Sequence, residues 1–329
     1  MTCRSSTPAA VPTMAAGGGA ARRLVRDLLS LGSGARTRIL PGGGPLHTPR
    51  QNWLHRYARE ARLKLMLIPV LVTLLVGSAG LGVSGQVMDL SRSRLVDLTH
   101  AYNAQTIYWP TASTRFNLEK LAYGPAPGGY FYASYSFSTP EHGGTHLDAP
   151  LHFSERGRST DQVPLDQLIA RAVVIDVSSS AAGNPDYRLS AADVRAFERQ
   201  HGQIAAGTIV LLRTDWSRRW PDVKAYLGDD TPKDASKLRF PSYGEDAARL
   251  LVEERRAGAL GVDTASIDYG RSTDFVVHRL AAAQQVAGLE NLTNLDQVPA
   301  TGATIIALPI KIEGGSGGPV RVVAVVPAG

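Results

Sequence analysis

Between Glu141 and Phe153 the chain reads Glu-His-Gly-Gly-Thr-His-Leu-Asp-Ala-Pro-Leu-His-Phe, with three histidines and one aspartate inside eleven residues. No other stretch limits the possible folds as strongly, because His142, His146, Asp148 and His152 have to be brought together or left unexplained. A helix would pair His142 with His146, but Gly143 and Gly144 oppose one and Pro150 would end it. In an extended chain, residues two apart share a face at about 6.6 Å, so His146 and Asp148 point into the same space. Fully extended, His142 and His152 would lie about 33 Å apart. The glycine pair must therefore turn His142 back, and Pro150 must redirect the chain toward His152. The expected unit is a loop, a short strand and a loop that gather imidazoles around a carboxylate. The plainer reading, a set of satisfied core histidines, fits poorly with four ligand-type side chains around one Gly-Gly turn. Histidine and aspartate without cysteine suit Zn, Mn or Fe alike.

The run also matches a long pattern, H-x-G-T-H-x-D-x-P-x-H-F, at His142, Gly144, Thr145, His146, Asp148, Pro150, His152 and Phe153. In this it resembles the metal-dependent cyclase/kynurenine formamidase family, which includes isatin hydrolases, over roughly residues 95–327. A second segment continues the resemblance. Gly261, Asp263, Ser266 and Asp268 follow the family's G-x-D-x-x-S-x-D, and His278 and Glu290 come after them in order. The resemblance implies an α/β fold, a single swivelling β/β/α-type domain with a mixed, barrel-like sheet. It implies one metal on His142, His146 and Asp148, and a second on Asp148, His278 and Glu290. Isatin hydrolases have one metal, so the expectation is one or two zinc or manganese ions per chain. It makes His152 the acid/base and Trp109 a substrate-pocket residue, and Phe153 is expected to complete an aromatic-compatible substrate-binding pocket with Trp109. It implies a homo-oligomer acting on a small molecule.

Spacing alone does not join His278 to Glu290. Twelve residues apart, they are about 120° out of phase on a helix, and they converge only if the helix ends near Gly288 and the chain turns back. Read without the resemblance, they are a helix-start histidine and a solvated glutamate. The implied activity is hydrolysis of a C–N bond in an aryl formamide or cyclic amide, of the N-formyl-kynurenine or isatin type, by attack of a metal-bound hydroxide. A lactonase or ring-closing cyclase could use the same site. A secreted, non-catalytic metal-binding protein is the alternative outside enzymology, and His152, which the resemblance does not make a ligand, speaks against it.

Around these motifs the chain reads as strands alternating with helices, which argues α/β. Leu95–Thr99 is a first strand, and Tyr130–Phe137 a strand leading into the histidine loop. Ala172–Val177, Thr208–Leu212 and Gly258–Asp263 are buried strands. Asp166–Arg171 reads as a short helix, and Ser190–His201 as a helix with Ser190 and Asp193 as its capping pair. Tyr243–Ala257 reads as a helix capped by Ser242, and Ser217–Asp230 as a loop. Ala303–Ile312 and Val320–Val326 are the last strands. The glycine run Gly314–Gly318 lacks the Lys-Ser/Thr of a phosphate loop and reads as a hairpin connection. Asn291-Leu292-Thr293 is a glycosylation sequon, expected to be buried and unmodified.

The net charge of +6 comes from the beginning of the chain. Residues 1–64 hold eleven Lys/Arg against two acids, so the remaining 24 basic and 27 acidic residues leave the body near −3. That gives no basis for nucleic-acid binding. The only cysteine is Cys3, which excludes disulfides, thiolate ligands and a thiol nucleophile from the body. Residues 1–64 read as a basic, disordered extension. The apolar run Leu65–Val83 follows Arg59, Arg62 and Lys64 and precedes a glycine- and serine-rich stretch, the form of a signal peptide over 65–86. An uncleaved membrane anchor and a buried helix are the competing readings. The expectation is a domain over 87–329, exported, and attached to a membrane only if residues 65–83 are retained. N-terminal sequencing of the protein from its natural source should then begin near Gln86, and a soluble cytosolic chain beginning at Met1 would contradict export.

Overall fold

Runs of Val, Ile and Leu without period-two alternation suit strands buried on both faces. The computed structural model describes residues 89–328. The expected extension (1–64), with short helices around 21–31 and 53–63, and the apolar segment (65–86) lie outside the described residues. In chain order the strands are β1 (Ser93–Asp97), β2 (Asn117–Pro125), β3 (Phe131–Ser138), β4 (His146–Asp148), β5 (Ile169–Asp176), β6 (Arg188–Leu189), β7 (Ile209–Arg213), β8 (Ser242–Tyr243), β9 (Ala259–Val262), β10 (Ala287–Glu290), β11 (Thr304–Pro309) and β12 (Gly317–Pro327). Strands β5, β7, β9 and β10 are parallel, and β4, β12 and β11 join them antiparallel. The order β12–β11–β5–β7–β9–β10–β4 returns to β12, whose Gly317–Pro319 pairs with His146–Asp148. Seven strands thus close a mixed barrel, and β1 lies along the far half of β12.

Side chains alternate between two cores. Ile209 and Leu211 join Leu147, Leu289, Ile305 and Val322 in one cluster. Val210 and Leu212 join a second, with Val194, Leu250 and Val277. Those last three belong to the helical layer: α1 (Ala191–His201), α2 (Glu245–Arg249) with its wider continuation over Leu250–Glu254, and α3 (Val276–Ala283). Helix α1 begins as expected, with Ser190 and Asp193 in a reciprocal capping box. Among the described residues no helix is long and apolar enough to cross a membrane.

Several elements differ from expectation. The helix expected over Asp166–Arg171 is one turn, Leu165–Leu168, because β5 already starts at Ile169. The expected loop Ser217–Asp230 contains a helix, Val223–Leu227, capped by Asp222. It is anchored where Trp216 Nε1 donates to the Tyr226 carbonyl at 2.7 Å. Ser242 and Tyr243 are not a helix start but the strand β8, and the helix begins only at Glu245. The cause is tertiary. The buried Tyr243 hydroxyl reaches the Val210 and Gly261 carbonyls at 3.0 and 2.8 Å, and Ser242 Oγ reaches those of Ser266 and Ile267, each at 2.7 Å. The last strand starts at Gly317, so the glycine run is partly barrel wall rather than only a connection. Among the described residues the hairpin β2–β3 pairs with no other strand, and its Leu118, Tyr123, Phe131 and Phe137 are each more than half exposed.

Candidate metal centre

Strand parity builds the floor of the site. Leu147 and Leu289 are in the barrel core, so their neighbours His146, Asp148, Gly288 and Glu290 face the other way. The β4–β10 register sets His146 opposite Glu290 and Asp148 opposite Gly288. On the other side, the β4–β12 register sets Asp148 opposite Gly317. Asp148 therefore has a glycine beside it on both neighbouring strands. A Cβ at Gly317 would lie 2.6 Å from His142 Cε1, so its absence is what admits His142 over the strand.

Five side chains converge there. His142 Nδ1 is 2.6 Å and His146 Nε2 3.1 Å from Asp148 Oδ1. His278 Nε2 is 3.1 Å from Asp148 Oδ2 and 3.1 Å from Glu290 Oε1. His146 Nε2 is 3.5 Å from Glu290 Oε2. These make two overlapping sets, His142/His146/Asp148 and Asp148/His278/Glu290, with Asp148 in both. His278 reaches Glu290 because α3 ends at Ala283, before the expected end near Gly288, and β10 carries the chain back.

The outer nitrogens decide what the inner ones can do. His146 Nδ1 donates to the Gly144 carbonyl at 2.9 Å, and His278 Nδ1 to Asp268 Oδ2 at 2.7 Å. With those protons placed, each Nε2 aims its lone pair at carboxylate oxygens. Lone pairs of that kind, buried face to face, repel unless something positive lies between them. Either protons or a cation must fill the gap. Without a cation, protons do: burial would lower His146, but the Asp148 and Glu290 carboxylates raise it to about 9. His278 is likewise raised well above its ordinary value, against its burial, by hydrogen bonds to Asp148, Asp268 and Glu290. Asp148, which burial would raise, is held well below the usual range by His146 and His142. Neutral imidazoles and two carboxylates in one pocket form a donor set that fits a divalent cation.

The second row of contacts holds the loop. Tyr102 Oη donates to the Gly143 and Thr145 carbonyls at 2.6 and 2.9 Å. Thr145 Oγ1 donates to the Asn291 carbonyl at 2.6 Å, and Asn291 Nδ2 to that of Gly144 at 2.8 Å. Gly143 and Gly144 both have positive φ, and a Cβ on Gly143 would lie 2.0 Å from the Tyr108 ring. Asn291, the sequon residue, is buried as expected. Asp268 also caps α3 through the Val277 and His278 amides, each at 3.1 Å. Tyr102 carries no motif, and the sequon at Asn291 gives no hint of this role; only the folded loop reveals what both residues do.

Above the cluster lies a cavity of about 230 Å³, with Ile107, Trp109, Phe153 and Phe275 on its walls and His142, His146, His152 and His278 toward its polar end. Trp109 and Phe153, the expected substrate residues, both line it. Phe275 was not foreseen. It sits at φ 49° just before α3, with its ring 5.3 Å from Phe153 and 6.1 Å from Trp109. A bulky residue at positive φ is strained, which ties Phe275 to this wall. His152 stacks on His142 at 3.7 Å between ring centroids. It lines the cavity and keeps an exposed surface, but protein packed around the ring strips enough water that this loss of solvation, with three neighbouring imidazoles, outweighs Asp148 and lowers its pKa to about 4.

The Cyclase family model matches residues 96–269. An isatin hydrolase of Roseibium aggregatum is 38% identical over 208 residues, 60% of this chain and 77% of its own length. A kynurenine formamidase of Salinibacter ruber is 30% identical over 236 residues, 70% of this chain and 96% of its own. The crystal structure of an isatin hydrolase bound to the product analogue thioisatinate matches with a TM-score of 0.65 at 30% identity, over 80% of this chain and 99% of that one. Because Asp148 stands in both ligand sets, Asp148→Ala should remove bound metal and activity together. Elemental analysis of the purified variant checks this, and full metal content would contradict it.

Proposed function

The chain belongs to the cyclase family of metal-dependent hydrolases, and from that premise we propose that it opens the C–N bond of an isatin-type cyclic amide or of N-formyl-kynurenine. The observation that carries this is the adjacency of the ligand cluster to an aromatic-walled cavity of about 230 Å³, lined by Trp109, Phe153 and Phe275. The isatin hydrolase relative favours the cyclic amide, and the two kinds of relative keep the formamide in view. A divalent cation held by His142, His146 and Asp148 would acidify a bound water toward neutral pH and polarise a carbonyl. His278 and Glu290, with Asp148 shared, support a place for a second. Zinc and manganese both suit these ligands.

The chain's own work is placement and proton movement. Trp109, Phe153 and Phe275 hold the ring and exclude water from it. Hydrolysis forms a C–O bond, breaks the C–N bond and leaves the nitrogen needing a proton. His152 lines the cavity and stacks on His142, so its ring can take the proton released by the attacking water and return it to the leaving nitrogen. We also propose a homo-oligomer. The exposed aromatic hairpin β2–β3 supports a second copy as its partner, since a two-stranded hairpin alone is marginal in water. Export through residues 65–86 stays part of the proposal, as does the domain span 87–329.

His152→Ala should keep most of its metal while turnover falls by roughly 10²–10⁴-fold. If the site empties instead, His152 is a ligand and its role here is wrong. Assays with isatin, N-formyl-kynurenine and an aryl lactone separate the readings. Lactone opening alone would indicate a lactonase, and no turnover by metal-loaded protein would indicate a binding protein.

A further inference from the structure

The glycine run has a role that a hairpin connection would not need. Ser316 stands at its centre, and its backbone is pinned on both sides. The Ala149 amide donates to the Ser316 carbonyl at 2.9 Å. Thr160 Oγ1 lies 3.0 and 3.1 Å from the Gly315 and Gly317 carbonyls, which share its one proton. The flanking glycines make room: a Cβ at Gly315 would lie 2.8 Å from Glu141 Oε1, as one at Gly317 would crowd His142. The Ser316 side chain is thereby set between those two residues. Its hydroxyl is 2.6 Å from Glu141 Oε2 and 2.8 Å from His142 Nε2.

Proton counting fixes the direction of this chain. A carboxylate only accepts, and a serine hydroxyl has one proton to give. Ser316 Oγ donates to Glu141, which also accepts from the Ser316 amide at 3.1 Å. The remaining capacity of the hydroxyl is as an acceptor, so His142 Nε2 must donate to it. With that proton on Nε2, Nδ1 is the nitrogen left to offer a lone pair to a cation, and it lies 2.6 Å from Asp148 Oδ1. His146 and His278 achieve the same through a backbone carbonyl and through Asp268. His142 lacks either partner and obtains its tautomer from a side chain 174 residues away.

We propose that Ser316, oriented by Glu141, is the positioning residue that locks His142 in the tautomer able to bind a metal through Nδ1. This rests on the reading of His142, His146 and Asp148 as metal ligands. Without the hydroxyl, His142 can turn or place its proton on Nδ1, and each ion bound must reverse that. Loss of such an outer hydrogen bond to a ligand weakens metal affinity by about 10–100-fold.

The test is direct titration of metal-free protein with Mn²⁺ alone, followed calorimetrically, with the melting temperature of each metal-free variant as a check on folding. Ser316→Ala should raise the dissociation constant by about 10–100-fold without lowering the metal-free melting temperature. Ser316→Thr, which keeps the hydroxyl, should restore affinity. Glu141→Ala should weaken binding through the same route, and serves if Ser316→Ala does not fold. In a His142→Ala background, Ser316→Ala should have no further effect, because it acts only through His142. Unchanged affinity in Ser316→Ala, or an equal loss in both backgrounds, would overturn the proposal while leaving the metal site standing. Failure of the unmodified protein to take up Mn²⁺ would remove the premise, and the proposal with it.

Discussion

One carboxylate holds the active face together. Asp148 offers Oδ1 to two imidazoles and Oδ2 to a third, and it is buried while doing so. A buried charge without partners would cost several kcal/mol, so the surrounding histidines are a condition of the fold as well as of the chemistry. They come from three places: the loop before β4, β4 itself and the start of α3. The closure of the barrel brings these together, because β4 is the strand that pairs with both β10 and β12.

That position explains the glycines. A short strand with partners on both sides has no free flank from which ligands could approach. Gly288 and Gly317, opposite Asp148 on the two neighbouring strands, leave open the space that ordinary side chains would fill. His142 enters over one of them. The glycine run of the last strand is thus part of the candidate metal site's architecture, and Ser316 within it is placed by the same backbone that closes the barrel.

Much of this was legible in the sequence, for a physical reason. His146 and Asp148 share a face because strand period is two, and the Gly-Gly turn had to bring His142 back. The buried strands were legible because apolar runs leave them few alternatives. Other features depend on contacts distant in sequence. Ser242 and Tyr243 look like a helix start, but two buried hydroxyls, Tyr243's on strand carbonyls and Ser242's on those of Ser266 and Ile267 beyond β9, make them a strand. Tyr102 and Asn291 hold the histidine loop from 41 and 147 residues away, a role that no local pattern at Tyr102 and no part of the Asn291 sequon announces. Phe275 is marked only by backbone strain. His278 and Glu290 were joined by family resemblance and not by spacing, since the short helix and returning strand between them are tertiary outcomes.

The central claim is that inward lone pairs of the histidines, facing Asp148 and Glu290, are filled by a divalent cation in the working protein and by protons in its absence. Those protons can be counted. With His146 raised to about 9 and His278 higher than its ordinary value, the metal-free site carries protons at pH 7 that an incoming ion must displace. Mn²⁺ or Zn²⁺ titrated into metal-free protein, in buffers of different ionisation enthalpy, should release at least one proton at pH 7, and affinity should strengthen as pH rises toward 9. Saturable binding with no proton release and no dependence on pH would contradict the account.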